Sequence, residues 1–147
     1  MANQDHVDLL RQSAQTWNQW RKEHPGIHPD LSGANLTEVH LASINLSDAD
    51  LEGINFDSAD LRYAKFQHSN LNNANLTAAF LSNANFSNAY LSEANLRGAD
   101  LDNANLSGAD IRWTNLWGAK LNNVDLRNVK VGGTHFDDID LRTVNGL

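Results

Sequence analysis

From Leu31 to Leu141 a large apolar residue stands at every fifth position without a break. The series opens Leu31, Leu36, Leu41, Leu46, Leu51, Phe56 and closes Leu121, Leu126, Val131, Phe136, Leu141. Two residues before each of these centres, from Ala34 onward, the side chain is Ala, Val, Ile, Ser or Thr. The residue immediately before the centre is usually Asn or Asp, and the two after it are mostly polar or small. A period of five fits neither the 3.6 of a helix nor the 2 of a strand. A helix would carry the centres round all sides. A strand would send successive centres to opposite faces. The chain must instead turn a corner every five residues, so that each centre and each small partner can point inward.

Ala74-Asn75-Leu76-Thr77-Ala78 and Ala104-Asn105-Leu106-Ser107-Gly108 carry the pattern in its cleanest form. In these units the chain resembles the pentapeptide repeat family, and the match runs from about Asp30 to about Val144 without insertion or deletion. The resemblance implies an all-β fold, a right-handed quadrilateral β-helix, or solenoid, with four pentads to a coil and nearly six coils. At ~4.8 Å between stacked strands such a column is on the order of 28 Å long. Residues 20 apart would then stack. Asn35, Asn55, Asn75, Asn95 and Asn115 would form a ladder of amides bonding along the column, Leu41 to Leu141 an all-Leu column, and Phe66 and Phe86 neighbours in a third. An uninterrupted repeat preceded by a helix also resembles the cyanobacterial members, many without an assigned role, so a bacterial and specifically cyanobacterial origin is expected.

The first 28 residues do not carry the repeat. Residues 6–23 read as one helix, with Asp5 as N-cap and Asp8 in the first turn. Val7, Leu9, Leu10, Ala14, Trp17 and Trp20 share one arc, interrupted by His6, Ser13 and Arg21. Pro25-Gly26 ends it. The division expected is a capping helix and linker over 1–28 and the repeat over 29–147, with Val7, Leu10, Ala14, Trp17 and Trp20 covering the open core of the first coil. The C-terminal coil has no such cover. Its unpaired backbone makes it a candidate for end-to-end pairing into a homodimer.

Composition narrows the function. The chain has no Cys, which excludes disulfides and thiolate chemistry. No run of 18 apolar residues suggests a membrane span, and Met1-Ala2-Asn3-Gln4-Asp5 lacks the start of a signal peptide, so the expected location is the cytoplasm. A net charge of −7 lacks the basic footprint of a nucleic-acid binder. No phosphate loop appears, and no nucleophile and base stand in a water-excluding pocket, so the chain is not expected to be an enzyme or to hold a cofactor. His28, Asp48 and His68 fall in one column, but two His and one Asp on a flat face make a poor metal site. Lys120, between Asp100 and Asp140 in its column, is expected to form local salt bridges.

Two surface features remain. The stretch from Asp30 to Asp60 holds seven acids, Asp30, Glu38, Asp48, Asp50, Glu52, Asp57 and Asp60, and no Lys or Arg. Large aromatics leave the core positions at Phe80, Tyr90, Trp113 and Trp117. The preferred reading is a non-enzymatic scaffold that binds an unidentified protein partner, with Trp113 and Trp117 in the contact. Two others stay open. The acidic collar can mimic DNA toward a type II topoisomerase such as gyrase, as some pentapeptide-repeat proteins do. Alternatively, the chain is a structural protein that self-associates by its ends.

Overall fold

In the computed structural model, which describes residues 1–147, regular secondary structure is confined to two N-terminal helices. They are α1, Gln4–Gln12, and α2, Ala14–Glu23. The all-β expectation is therefore corrected: no β-strand or sheet forms, and the terms β-helix and solenoid do not describe the chain. After α2 the chain runs through turns joined by single-residue parallel bridges, each pairing residue i with residue i+20. The reason lies in the pentad. A corner every five residues leaves one residue, the one before each centre, free to pair on both sides. Two consecutive paired residues, the minimum of a strand, never arise.

The bridges form four ladders, beginning at Asp30, Asn35, His40 and Asn45. Within each pentad nearly every backbone N–H has a defined acceptor. In the pentad centred on Phe56, the centre donates to Asn75 O at 2.7 Å and Ser58 N–H to Thr77 O at 2.9 Å, both one coil ahead. Asn55 N–H donates back to Ala34 O at 2.9 Å, and Ala59 N–H closes a turn on Phe56 O at 3.0 Å. The remaining N–H, on Asp57, donates to the side-chain Oδ1 of Asn55 at 3.1 Å. The Asn or Asp before each centre is thus an acceptor for the residue two places on. The expected amide ladder is corrected in the same way. Only Asn75 Nδ2 to Asn55 Oδ1, 3.1 Å, links two of those amides between coils. The other side-chain oxygens of that column are turned inward on their own pentads. Where Tyr90 or Lys120 replaces the acceptor, Asn72 or Asp102 on the preceding coil supplies it, each at 3.0 Å.

The turn has one further requirement. The second residue after the centre has positive φ throughout residues 33–138. An i to i+3 hydrogen bond with positive φ at only the second central residue is a type II turn. Gly and Asn fill many of these positions, but Tyr63 and Trp113 stand there too, at φ 62° and 60°.

Every centre from Leu31 to Leu126 is buried, and the small residues before them are buried save a half-buried Val39. They form one core of 39 residues that includes Val7, Leu10 and Trp17 of the helices. Phe66 and Phe86 stack at 4.6 Å with planes 5° apart, as the 20-residue register requires. Ser69 and Thr114 are accommodated in the core because their hydroxyls donate to Phe66 O and Leu91 O, each at 2.7 Å.

The single helix expected over 6–23 is also corrected. Ser13 is extended, φ −177° and ψ 160°, and its Oγ accepts from Thr16 N–H at 3.0 Å. It is the N-cap of a second helix. The first helix is capped by Asn3, not Asp5, through bonds from Asp5 and His6 N–H. Val7, Leu10 and Trp17 are buried as expected, while Ala14 and Trp20 are half-buried. The polar residues interrupting the arc make much of the contact with the first coil. Arg21 is buried and donates to Asn45 O at 3.0 Å and Ser47 O at 2.7 Å. Trp17 Nε1 also donates to Asn45 O, at 2.7 Å. His6 Nδ1 accepts from Asp30 N–H at 3.2 Å. The cap therefore both covers apolar surface and supplies partners to a coil with no predecessor.

Candidate interaction surface

The four aromatics singled out by the pattern all reach solvent. Trp113 is 64% exposed and Trp117 43%, with Phe80 and Tyr90 about half exposed. They do not share one face. Tyr90 lies in the first ladder, and Trp113 stands one coil later at the corner between Asp110 of the first ladder and Asn115 of the second; Phe80 lies in the third ladder. Tyr63, which the expectation omitted, is 61% exposed in the coil before Phe80. An aromatic two places after its centre was the available signal.

Trp113 and Trp117 flank Asn115 and are held differently. The Trp113 backbone donates to Gly132 O at 2.9 Å, and its ring lies over Gly133, where any Cβ would strike it. Trp117 N–H donates to Asn115 Oδ1 at 3.0 Å, and its ring carries the Arg97 guanidinium 4.5 Å from the centroid. This is cation–π geometry. Arg97 and Trp117 are 20 residues apart, so the coil length brings them together. Arg97, Asn115, Trp117, His135 and Asp137 line an open cleft.

The acidic residues spread round the column. Asp30 and Asp50 bridge in the first ladder, while Asp60 lies in the third. Several are already engaged. Asp30 accepts from Ser32 Oγ at 2.7 Å and N–H at 3.0 Å, and these bonds hold its carboxyl below the usual range. Asp60 accepts from Arg62 at 2.8 Å twice, which lowers its pKa likewise. Asp48 lies near enough to the buried Arg21 to oppose part of the downward shift that desolvation imposes on that guanidinium. Asp50 accepts from Glu52 N–H and Asn70 Nδ2, and Asp57 from Ser58 Oγ. Glu38 is exposed, as is Glu52, which accepts from Asn70 Nδ2 at 3.4 Å. Lys120 forms no ion pair, contrary to expectation; Asp140 is paired by Arg142 instead. His28 Nδ1 meets the backbone oxygen of Asp48 at 3.1 Å, not its carboxylate.

The family profile for pentapeptide repeats matches eight copies, over residues 30–53, 41–77, 69–108, 79–118 and 104–143. The chain belongs to the pentapeptide repeat family. Among solved structures of this family, Rfr23 of the cyanobacterium Cyanothece 51142 aligns with TM-score 0.55 and 28% identity, covering 84% of this chain and 99% of that one. A pentapeptide repeat protein of the Arabidopsis thaliana thylakoid lumen aligns with TM-score 0.54 and 31% identity, over 68% and 66%. QnrB1, a plasmid-mediated fluoroquinolone resistance protein, aligns at TM-score 0.48 and 22% identity, over 80% and 74%, too weak a likeness to carry an inference. A comparison with curated proteins finds no match. Pentapeptide-repeat proteins are non-catalytic, and this one groups no three metal-ligating side chains. No helix is long and apolar enough to cross a membrane.

Proposed function

We propose that the chain is a non-enzymatic protein-binding scaffold whose contact surface is built on Trp113 and Trp117. The observation that carries this reading is the backbone of Trp113. Its column, from Gly33 through Gly53, Asn73 and Glu93 to Gly133, has positive φ throughout. A bulky side chain there costs about 1–2 kcal/mol relative to glycine. Stability alone favours Gly or Asn, yet the position holds an exposed tryptophan four residues from a second one. Tryptophan is one of the side chains enriched among residues that dominate protein–protein binding, and since the positive φ recurs in every pentad, it is the choice of an exposed tryptophan there that marks the position.

The test is capture from a cyanobacterial lysate on immobilised wild type and on Trp113→Ala/Trp117→Ala. At least one partner present with wild type should be missing from the variant. An identical partner set removes the reading.

A second reading, mimicry of DNA toward a type II topoisomerase, draws on one observation: the net charge of −7 is concentrated between Asp30 and Asp60. Phosphate mimicry calls for acids running along the column. Here the Asp30–Asp50 ladder continues through Asn70 and Tyr90, and Arg62 occupies Asp60. A gyrase supercoiling assay decides it: absence of inhibition at high micromolar protein discards it.

A further inference from the structure

The cleft beside Trp117 holds hydrogen-bond donors without acceptors. Arg97 lies on the Trp117 ring and forms no ion pair, and its guanidinium makes no hydrogen bond within the chain. Asn115 spends its Oδ1 on Trp117 N–H, and its Nδ2 donates to no protein atom. Both line the same cleft. The other arginines of the repeat are different. Arg62, Arg112, Arg127 and Arg142 each grip the Asp two residues earlier in their own pentad. Arg97 follows Asn95 instead, so its nearest potential partner is neutral and already accepts the Arg97 N–H at 3.1 Å.

Stacking on an indole fixes the plane of a guanidinium and leaves its edge free, the arrangement that suits a carboxylate accepting two bonds. Of the bases on the coil 111–130, Arg112 and Arg127 are paired by Asp110 and Asp125, and Lys120 and Lys130 lie in other ladders, so Arg97 is the one Lys or Arg lining the cleft. One group of the lining opposes an anion: Asp137, whose carboxylate lies 3.9 Å from His135 Nδ1.

We infer that the cleft between Arg97, Asn115 and Trp117 takes an Asp or Glu side chain from an acidic segment of the protein partner. This rests on the protein-binding reading above and adds the partner's chemistry to it. The carboxylate would accept from the Arg97 guanidinium and Asn115 Nδ2, and the segment would continue over the exposed indoles.

The test is a selection of random dodecapeptides on the immobilised full chain, followed by affinity measurement on the enriched peptides. Enriched peptides should be net acidic. Arg97→Gln should weaken them about tenfold or more, Asp137→Asn should strengthen them, and Arg62→Gln, remote and paired within its own pentad, should leave them unchanged. Inorganic phosphate at millimolar concentration should not displace them. Neutral or basic peptides that need Trp113 and Trp117 overturn this inference while the protein-binding reading stands. Acidic peptides indifferent to Arg97→Gln, or displaced by phosphate, also overturn it. If no peptide is enriched, both fail.

Discussion

Asn45 N–H donates to the side-chain oxygen of Asn18 at 2.7 Å, where the equivalent group one coil later, on Lys65, donates to the backbone oxygen of Ile44. Asn18 Nδ2 in turn donates to Ser43 O at 3.0 Å. A single side chain on α2 thus replaces part of a coil that does not exist. Asn18→Ala leaves that N–H without its partner and should cost about 1–3 kcal/mol. The check is amide exchange at Asn45 together with urea denaturation. Exchange unchanged at Asn45 would show that the cap does not hold this edge.

Arg21 tests the same junction. Burial lowers its pKa, and its Nε has no partner. Arg21→Ala should destabilise the first coil, because Ser47 O loses its donor and a cavity opens beside Trp17. Trp17→Phe removes the Nε1 bond to Asn45 O and also part of the volume of a fully buried side chain, so it should cost about 2–4 kcal/mol. Thermal unfolding followed by helix signal measures both, and wild-type stability in either variant would contradict this account of the junction.

How much of this was legible in the sequence depends on the range of the interaction. The centres and their small partners follow from period alone, and the stacking of Phe66 on Phe86 from the 20-residue coil. The side-chain acceptor before each centre appeared as a preference for Asn or Asp, but its purpose needed the backbone: counting side chains cannot say which N–H is left over in a turn. The strand expectation failed for a related reason, since pairing by one residue at a time is invisible to residue type. On the helix wheel, Arg21 looked like a flaw in an apolar face. It is buried because carbonyls of Asn45 and Ser47, more than 20 residues away, receive it. Arg97 stands one coil before Trp117, but the spacing alone does not say that the guanidinium lies over the indole and not in solvent.

Trp113→Gly should raise stability by about 1 kcal/mol, since glycine removes the left-handed strain, with part of the gain offset by the lost contact with Gly133 and the freer unfolded chain. Gly133→Ala should lower stability, because its Cβ would meet the Trp113 ring at φ +72°. The pair is read by urea denaturation. The partner lost in the capture experiment should also be lost with Trp113→Gly, which separates binding from stability.

Acid should act on the Asp–Arg pairs. Hydrogen bonds from Arg62, Arg112 and Arg127 hold Asp60, Asp110 and Asp125 below their usual range, and Arg142 brings Asp140 to about 2. A carboxyl with a depressed folded-state pKa contributes stability that is present above about pH 4, its unfolded value, and is lost as pH falls through the folded value. Stability should therefore be insensitive to these groups above about pH 4 and decline toward pH 2. Asp110→Asn, at the most buried of these carboxyls, should flatten that decline. Circular dichroism across pH 2–7 measures it, and a loss confined to pH 5–7 would contradict the assignment.

The scaffold that presents Trp113 and Trp117 rests on a hydrogen-bonding cycle repeated every five residues, and residue-resolved amide exchange tests it most directly. Four N–H groups of every pentad from Leu51 to Lys120, those bonded along the column or closing the turn, should exchange slowly. The fifth, on the residue following each centre, should be slow where Asn or Asp precedes that centre. It should be fast at Ala42, Gln67 and Ser82, which follow His40, Lys65 and Phe80. Fast exchange at the four backbone-bonded groups, or equal protection at Ser82 and Ser87, would contradict the cycle.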